Sequence, residues 1–313
     1  MECYEMGLIN KEATGGFELR FGNKDAALEL VQQMAKGEGF GIVVGQGIRR
    51  MKKIFAEKYG ANPKVLQDIG MESKGLEFSE YVTKESLAQQ GGYGLTLKGP
   101  QHDEAWLIFL DMVYNLLPTF EQKAEALHWF PMFRTWFGLN GLCKLPWNDV
   151  VPEDNKKTKE PAKVMAHVEN YAKFYSAVTG KKTIPEDIIS MSEKVYNFQR
   201  IFNLRMGFGT RQHDQIPYRA VGPVTKDEYE SRAERYDKQL SEKISFDPTG
   251  KSTEEKMLAL RKFREKEYER LKDTVYARRG WNSNGVPTVE KVKALGIDYP
   301  DVIELLTRHN RAN

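Results

Sequence analysis

The chain has 313 residues, of which 40% are apolar and 29% are charged, a composition typical of a soluble globular protein with a substantial core. Its 47 basic and 44 acidic residues leave a net charge of +3, which argues against nucleic-acid binding as the main role. No apolar run approaches a membrane span, and the N-terminus lacks the basic and apolar regions of a signal peptide. Cys3 and Cys143 are the only cysteines, so a disulfide framework is excluded and the cytoplasm is the expected compartment.

The N-terminal part of the chain predicts helices separated by turns. Residues 17–21 alternate between apolar and polar side chains, as a short strand does. A helix over about 24–36 is expected next, with Asn23 or Asp25 as its cap. A second helix is predicted over about 42–59, with basic residues late in it, where they suit the helix dipole.

Five glycines lie between positions 37 and 47, and they invite a phosphate-loop interpretation. Their spacing matches neither the dinucleotide fingerprint nor the P-loop, and no clear strand precedes them. Close packing between helices is the better explanation, because glycine lets two backbones approach each other.

Residues 91–104 are rich in glycine and end in a polar cluster of His102, Asp103 and Glu104. A strongly apolar helix is expected over about 105–117, with the two carboxylates at its N-terminus, where negative charge is favourable. His102 has two interpretations, an ordinary capping or surface residue or a proton-transfer group at the mouth of a site. From the residues alone, the ordinary role is the more common one.

Residues 130–147 combine aromatic side chains with prolines, glycines and one cysteine, and they show neither a helical period nor a strand alternation. The sequence Gly-Leu-Asn-Gly-Leu-Cys, which ends at Cys143, predicts a tight turn that delivers a thiol into an aromatic setting poor in water. A lone buried cysteine is usually a small hydrophobic residue. The alternative is a metal ligand, and the rest of the chain has to decide between the two.

The C-terminal part predicts long helices. They are expected over about 162–179, from Pro185 to about 202, and across a run of mixed charge at about 254–273 that rests one face on the protein. Arginines in the loop at 203–217 have two possible roles, holding phosphates or pairing with helix ends and carboxylates, and the second is commoner. The chain as a whole is predicted to be mainly α-helical, without a central sheet.

Taken together, these segments resemble the C-terminal half of the tungsten-containing aldehyde:ferredoxin oxidoreductase family, and look closest to its bacterial members that work with extra electron-transfer subunits. The matching segments follow the family's order and cover nearly the whole chain. Residues 141–143 resemble the end of a pterin-binding motif, Asp-x-x-Gly-Leu-Cys. The other matching segments are residues 19–23, 37–41, 47–50, 99–106, 143–147, 202–208, 211–217, 279–281 and 284–288.

The resemblance implies a tungsten-bis-pyranopterin centre beside a 4Fe-4S cluster, where an aldehyde substrate is oxidised to a carboxylic acid. Electrons then pass through the cluster to ferredoxin or to iron-sulfur electron-transfer subunits. Carried over, Cys143 is one of the four cluster ligands, and Gly141 and Leu142 lie against a pterin. His102 falls in the region of the family's active-site histidine, after a gap in spacing, and is assigned proton transfer near the metal. Glu104 is a weaker catalytic candidate.

Two departures from the family pattern matter. The aspartate that begins the pterin motif is replaced by Gly138, for which Asn140 is the nearest substitute. The other cluster cysteines, the first pterin motif and the N-terminal sheet domain lie upstream of every matching segment. Residues 1–9 look like the last turns of a helix, so the chain is expected to begin inside a larger fold. The resulting prediction is a fragment or half of a split enzyme, inactive without its missing N-terminal half or a companion subunit.

The expected architecture is mainly α and corresponds to the helical C-terminal domains of the family fold, with the N-terminal sheet domain absent. Residues 1–70 are assigned to the C-terminal part of the helical middle domain, and residues 71–313 to the helical C-terminal domain. Two alternatives to aldehyde oxidation stay open. One is a reductase subunit of the same family that acts on another substrate. The other is a non-catalytic helical scaffold that lost the cofactor, which Gly138 favours.

Overall fold

A computed structural model describes residues 1–144 and 150–311 of the chain. Helices dominate this part of the chain, so the mainly α prediction is confirmed. Among the described residues, the only sheet is an antiparallel hairpin of two short strands, β1 (Glu72–Ser73) and β2 (Leu76–Glu77). None of the helices in the described ranges is long and apolar enough to cross a membrane.

The helices follow one another with short connections. Their bounds are α1 Glu2–Glu5, α2 Lys24–Lys36, α3 Gly41–Val44, α4 Ile48–Tyr59, α5 Pro63–Ile69, α6 Leu87–Gly94, α7 Phe120–Leu139, α8 Pro152–Asn155, α9 Met165–Thr179, α10 Pro185–Arg205, α11 Lys226–Glu230, α12 Ala233–Ile244, α13 Thr253–Arg279, α14 Val289–Ala294 and α15 Pro300–Arg311. A π-helix at Phe109–Val113 and 3-10 helices at Arg211–Asp214 and Tyr218–Ala220 lie between them.

The glycines after α2 allow helices to pack closely, as predicted from the sequence. A Cβ on Gly41 would lie 2.3 Å from the carbonyl carbon of Gln33, so only glycine lets α3 touch α2 at this point. The single helix expected over 42–59 is wrong, because the chain breaks at Gly47, whose φ is +82°. The Ile48 backbone N–H, orphaned by that break, donates to Glu77 Oε1 at 2.9 Å, which starts α4 anew.

The strand expected over 17–21 does not form. Its backbone groups bond to side chains rather than to another strand: Thr14 Oγ1 donates to the Phe17 carbonyl at 2.6 Å, and the Phe21 N–H donates to Glu5 Oε1 at 2.8 Å. Alternation alone does not create a strand when no partner lies alongside it. The cap of α2 is Asn23, whose side chain accepts from the Ala26 N–H at 3.2 Å.

The apolar helix expected over 105–117 is also wrong, and Asp103 and Glu104 lie in a turn before the shorter π-helix. The buried side chain of Gln89 explains the difference. Its amide donates to the Ala105 carbonyl at 2.7 Å and accepts from the Ile108 N–H at 2.8 Å. These backbone groups therefore pair with α6 instead of with a continuous helix.

The main hydrophobic core surrounds α7, which packs against α6, α10 and α13. A separate buried cluster lies between Ile9 and Leu66, inside the first of the two predicted units. The division of the chain at residue 70 stays a prediction. The charged run expected over 254–273 becomes α13, which buries Leu260, Leu271 and Val275 along one face, as predicted.

A buried ion network joins the hairpin to the C-terminal helices. Arg200 on α10 donates two hydrogen bonds to Asp214, at 3.0 and 2.7 Å, and a third from Nε to the Gly285 carbonyl at 2.9 Å. Lys74 Nζ lies 2.9 Å from Asp214 Oδ1, and the Tyr276 hydroxyl donates to Oδ2 at 2.5 Å. Neither Arg200 nor Asp214 has side-chain surface exposed to solvent.

The surroundings of Asp214 fix its charge. Burial alone raises the pKa of this carboxyl, but the charges of Arg200 and Lys74 and the hydrogen bonds from Arg200 and Tyr276 outweigh burial. The pKa of Asp214 therefore lies well below its ordinary value of 3.8. A carboxylate that stays ionised in a dry core needs all of these partners, because an unpaired buried charge is very costly.

The two arginines near the end of α10 take the commoner role predicted for them. Arg205 pairs with Asp301 at 2.5 Å, at the start of α15. Arg211 pairs with Glu269 and Asp273 on α13, each at 2.5 Å. Both guanidinium groups thus already contact carboxylates of this chain.

The first prediction concerns Asp214. Replacing it with asparagine is expected to lower the free energy of unfolding at neutral pH by about 3–5 kcal/mol, because Arg200 and Lys74 stay buried without their countercharge. Since the native pKa lies below 3.8, the stabilisation by Asp214 is present above that value and is lost as the pH falls below it. Urea unfolding, followed by circular dichroism from neutral to acid pH, measures both effects.

The matched control for this experiment is Asp301→Asn, which breaks an exposed ion pair instead of a buried one. It should leave the midpoint of unfolding unchanged. Equal losses in the two variants would show that the buried network is no more important than a surface pair.

Candidate functional site

The turn that carries His102 is fixed by backbone contacts on both sides. Thr96 Oγ1 donates to the Gly99 carbonyl at 2.6 Å, and the Ser79 N–H donates to the Pro100 carbonyl at 3.1 Å. Gly99 has a φ of +138°, and a Cβ there would lie 2.8 Å from the side chain of Leu76. Only glycine satisfies both conditions, so the turn sits tightly against the hairpin.

Four alternating charges surround this turn. Lys98 Nζ lies 2.7 Å from Asp103 and 3.6 Å from Glu104, while Lys144 Nζ lies 2.7 Å from Glu104 and 3.8 Å from Asp103. Burial raises the pKa of Asp103, but the hydrogen bond from Lys98 and the charges of both lysines lower it below its ordinary value. Asp103 is therefore held as a carboxylate next to His102.

His102 has an aromatic neighbourhood on its other side. Its ring centroid lies 5.2 Å from that of Tyr81, which in turn lies 6.0 Å from Trp106. Trp106 stacks on Phe109 of the π-helix at 4.8 Å. The half-buried imidazole thus lies between a charged cluster and a row of rings.

A groove of about 440 Å³ opens beside Glu104. It is lined by Leu97 and Lys98 and by the exposed rings of Phe198 and Phe202 on α10. Asn203, also in the lining, donates through its side-chain amide to the Leu97 carbonyl at 2.6 Å. Apolar walls with a few charges at the rim are typical of a pocket for a small molecule.

The aromatic stretch that begins at Phe130 is helical, contrary to the prediction from its irregular pattern. It forms the second half of α7, and residues 129–137 are all buried, so no amphipathic period is needed. Pro131 lies inside this helix and cannot donate to the Leu127 carbonyl. Arg279 supplies the missing donor, with Nη2 3.2 Å from that oxygen.

α7 ends in a Schellman motif, and this accounts for two of the predicted pterin-binding residues. Gly141 has a φ of +65°, its N–H donates to the Gly138 carbonyl at 3.4 Å, and the Leu142 N–H donates to Phe137 at 2.8 Å. The Asn140 amide donates to the Trp136 carbonyl of its own helix at 3.0 Å. The predicted tight turn is therefore present, one residue after the end of the helix.

Cys143 lies on the surface, which corrects the prediction of a thiol in a water-poor aromatic setting. The aromatic side chains of α7 point into the core, while the chain leaves the helix at the turn and carries the thiol outward. Leu142 beside it is 42% exposed. Next to both Gly138 and Gly141, the space that a Cβ would enter is open. Residues 145–147, the rest of the 143–147 match, lie outside the described residues.

Lys144 connects the two predicted segments. Its side chain pairs with Glu104, which brings the Cys143 turn to the His102 turn. Its carbonyl accepts from Nη2 of the buried Arg134 at 2.7 Å. Sequence patterns did not identify Lys98, Arg134 or Lys144, because isolated basic residues are most often surface residues.

The side chains that could bind metal show whether the described residues fit a 4Fe-4S cluster. Among residues 1–144 and 150–311, no group of three or more His, Cys, Asp or Glu side chains converges to hold a metal. An exposed thiol on a tight turn suits one corner of a 4Fe-4S cluster, which takes four thiolates. The described residues therefore fit a cluster as a source of one ligand.

Comparison with known proteins agrees with the fold. Residues 1–297 match the family model described as aldehyde ferredoxin oxidoreductase, domains 2 and 3. The chain belongs to the aldehyde ferredoxin oxidoreductase family. Its resemblance to that family, first suggested by the ordered motifs, is thus confirmed, and family members are oxidoreductases.

Curated relatives named tungsten-containing aldehyde ferredoxin oxidoreductase match the chain at low identity. The Pyrococcus abyssi protein is 25% identical over 229 residues, which is 71% of this chain and 34% of the relative. The Pyrococcus furiosus protein is 26% identical over 225 residues, or 70% of this chain and 33% of the relative. The matched region spans about a third of the length of these relatives.

A solved structure shares the fold. The active site complex BamBC of benzoyl coenzyme A reductase, in complex with 1,5-dienoyl-CoA, superposes with a TM-score of 0.57 at 16% identity. The match covers 98% of this chain and 44% of that one. The likeness concerns the fold alone.

The second prediction tests the end of α7. Gly138→Ala is expected to stabilise the protein by about 0.5–1 kcal/mol, because Gly138 is exposed in the last turn with open space where a Cβ would lie. Gly141→Ala is expected to destabilise it by about 1–2 kcal/mol, because a side chain is strained at that positive φ. Urea unfolding of both variants measures the difference.

The Gly138 variant is the control for the Gly141 variant, since each adds one methyl group to the same turn. Shifts of the same sign would contradict the Schellman geometry.

Proposed function

We propose that this chain forms part of a tungsten-dependent oxidoreductase that oxidises aldehydes to carboxylic acids. The observation that supports it is the pair of Lys144 with Glu104 at 2.7 Å. This pair joins two segments 40 residues apart, one with the candidate cluster ligand Cys143 and the other with His102. A ligand for an electron-transfer cluster beside a histidine that moves protons is what such an oxidation requires.

In this proposal, a tungsten-bis-pyranopterin centre supplies the oxidation and a 4Fe-4S cluster carries the electrons onward. Cys143 provides one of four thiolates, from its exposed position on the turn. Gly138, Asn140, Gly141 and Leu142 present an open, side-chain-poor surface for a pterin. Because Gly138 brings no carboxylate and the Asn140 amide bonds to α7, the chain contributes to this surface mainly through backbone groups.

The roles of the other residues follow from their positions. His102 accepts or donates the substrate proton, with the carboxylates of Asp103 and Glu104 beside it in the same turn. The groove beside Glu104 accommodates the apolar part of an aldehyde against Phe198 and Phe202. The ring of Tyr81, whose centroid lies 5.2 Å from that of His102, covers part of the half-buried imidazole.

In this proposal, partners supply the remaining cluster ligands and the electron acceptor. Three cluster thiolates come from the remainder of a longer chain or from a companion subunit. The electron acceptor is a ferredoxin or an iron-sulfur subunit. By itself, the chain is expected to bind no complete cluster and to show no turnover.

A second candidate is a reductase of the same family acting on another substrate, since the fold is shared with the BamBC complex of benzoyl coenzyme A reductase. Assays of the whole enzyme in both directions separate the two. Aldehyde oxidation with a viologen acceptor supports the first candidate. Failure to oxidise aldehydes, combined with reduction of an aromatic thioester, supports the second. A loaded enzyme without either activity would contradict both.

The third prediction concerns Cys143. In the whole enzyme, assembled with the companion that carries the other ligands, Cys143→Ala should lower the iron content and abolish the EPR signal of the reduced 4Fe-4S cluster, because one thiolate is lost. Metal analysis and EPR measure these changes. Cys3→Ala is the control, since Cys3 packs in the N-terminal core. Unchanged iron in Cys143→Ala would remove this residue from the ligand set.

The fourth prediction concerns His102. His102→Ala should retain tungsten and iron but reduce kcat by roughly 10²-fold or more, the usual cost of losing a general acid or base. Steady-state kinetics and metal analysis of one preparation separate the two effects. His309→Ala, on α15, is the control and should behave as the wild type. An unaffected kcat in His102→Ala would exclude this residue from proton transfer.

A further inference from the structure

The turn that carries Cys143 is attached to the protein through the next residue. Lys144 is fixed at its backbone by Arg134, with Nη2 2.7 Å from the Lys144 carbonyl. It is fixed at its side chain by Glu104, with Nζ 2.7 Å from Oε1. Arg134 belongs to α7 and Glu104 to the His102 turn. Lys144, the residue next to the thiol, is therefore held by two separate elements.

Arg134 is an unusual residue for the middle of an apolar helix. Its side chain is fully buried, and its guanidinium lies over the rings of Phe130 and Phe137, at 5.0 and 5.2 Å from their centroids. These residues lie four positions before and three after it, on one helix face. Burying a guanidinium is costly unless its charge and donors are used. One of its donors is used on the Lys144 carbonyl.

The ion pair between Lys144 and Glu104 is also shielded from solvent. The side chains of Lys144 and Glu104 are only 17% and 15% exposed, so solvent screens their pair less than a surface pair. Asp103 lies 3.8 Å from the same ammonium group. The charges of Lys98 and Lys144 balance those of Asp103 and Glu104, which makes the assembly neutral and favours one arrangement.

We propose that Arg134 and Lys144 are positioning residues that hold the Cys143 thiol at a fixed place relative to the His102 turn. Gly138 and Gly141 bring no side chain to this turn, so the two contacts of Lys144 restrain the chain directly after the thiol. Fixing the thiol in advance lowers the entropy cost of placing it in a cluster. The identity of Cys143 as a ligand rests on the proposed function, whereas the restraint on its position does not.

The fifth prediction tests this restraint in the chain itself. In a Cys3→Ser background, a nitroxide attached to Cys143 reports the motion of the turn by EPR. Glu104→Gln and Arg134→Met each remove one anchor, and the mobile fraction of the spectrum is expected to rise by roughly twofold or more, the size of effect that a weak ion pair supports. Lys144→Arg keeps both contacts and should leave the spectrum restricted.

Glu193→Gln is the matched control, because it breaks a Glu–Lys pair of similar exposure between α10 and α14. It should not change the nitroxide spectrum. Circular dichroism verifies folding, and Glu104→Gln decides the question if the buried Arg134 variant does not fold. A spectrum as restricted in Glu104→Gln as in the wild type would overturn the proposal.

A second measurement uses the loaded whole enzyme. Glu104→Gln and Arg134→Met should keep their iron but change the EPR line shape or reduction potential of the cluster, whereas Glu193→Gln should not. This result is independent of the ligand test, since unchanged iron in Cys143→Ala refutes the proposed function and leaves the nitroxide experiment valid. An identical cluster spectrum in all three variants would overturn a role of the anchors at the cluster.

Discussion

The buried carboxylate of Asp214 is the constraint on which the rest of the structure depends. Three cationic or hydroxyl groups reach it from separate places: Arg200 from α10, Lys74 from the hairpin and Tyr276 from α13. None of these groups is well accommodated in a dry interior without the others. The hairpin against which the His102 turn packs is therefore fixed by the same interaction that joins α10 to α13.

Much of the fold is predictable from the sequence, because long apolar stripes and caps are local signals. The positions of α2, α9, α10 and α13 follow from such signals. Two of the failures share one physical cause, which is that distant side chains satisfied backbone groups. Gln89 replaces helical hydrogen bonds after residue 105, and Glu77 restarts α4. Neither contact is visible to a pattern that spans a few turns.

The candidate site, like the fold, was predictable from the sequence only in part. Cys143 and His102 were identified by motif order, and the structure brings their segments together through Lys144. The exposure of the thiol was not predictable, because residues 129–137 of α7 are all buried and show no period to mark where the helix ends. Arg134 was not identified from the sequence either, because its role depends on the Lys144 carbonyl, ten residues away. Sequence thus indicates which segments matter, and tertiary contacts determine how they are held.

Pro131 has a consequence for the order in which the molecule is assembled. Proline has no N–H to donate to the Leu127 carbonyl. That carbonyl accepts a hydrogen bond from Arg279 instead, 152 residues later in the chain. During synthesis, α7 therefore emerges with a defect at its centre, and that defect persists until α13 has been made and docked. Contacts this distant in sequence form late, because closing so long a loop costs entropy first. The surface that presents Cys143 thus matures only when α13 is in place.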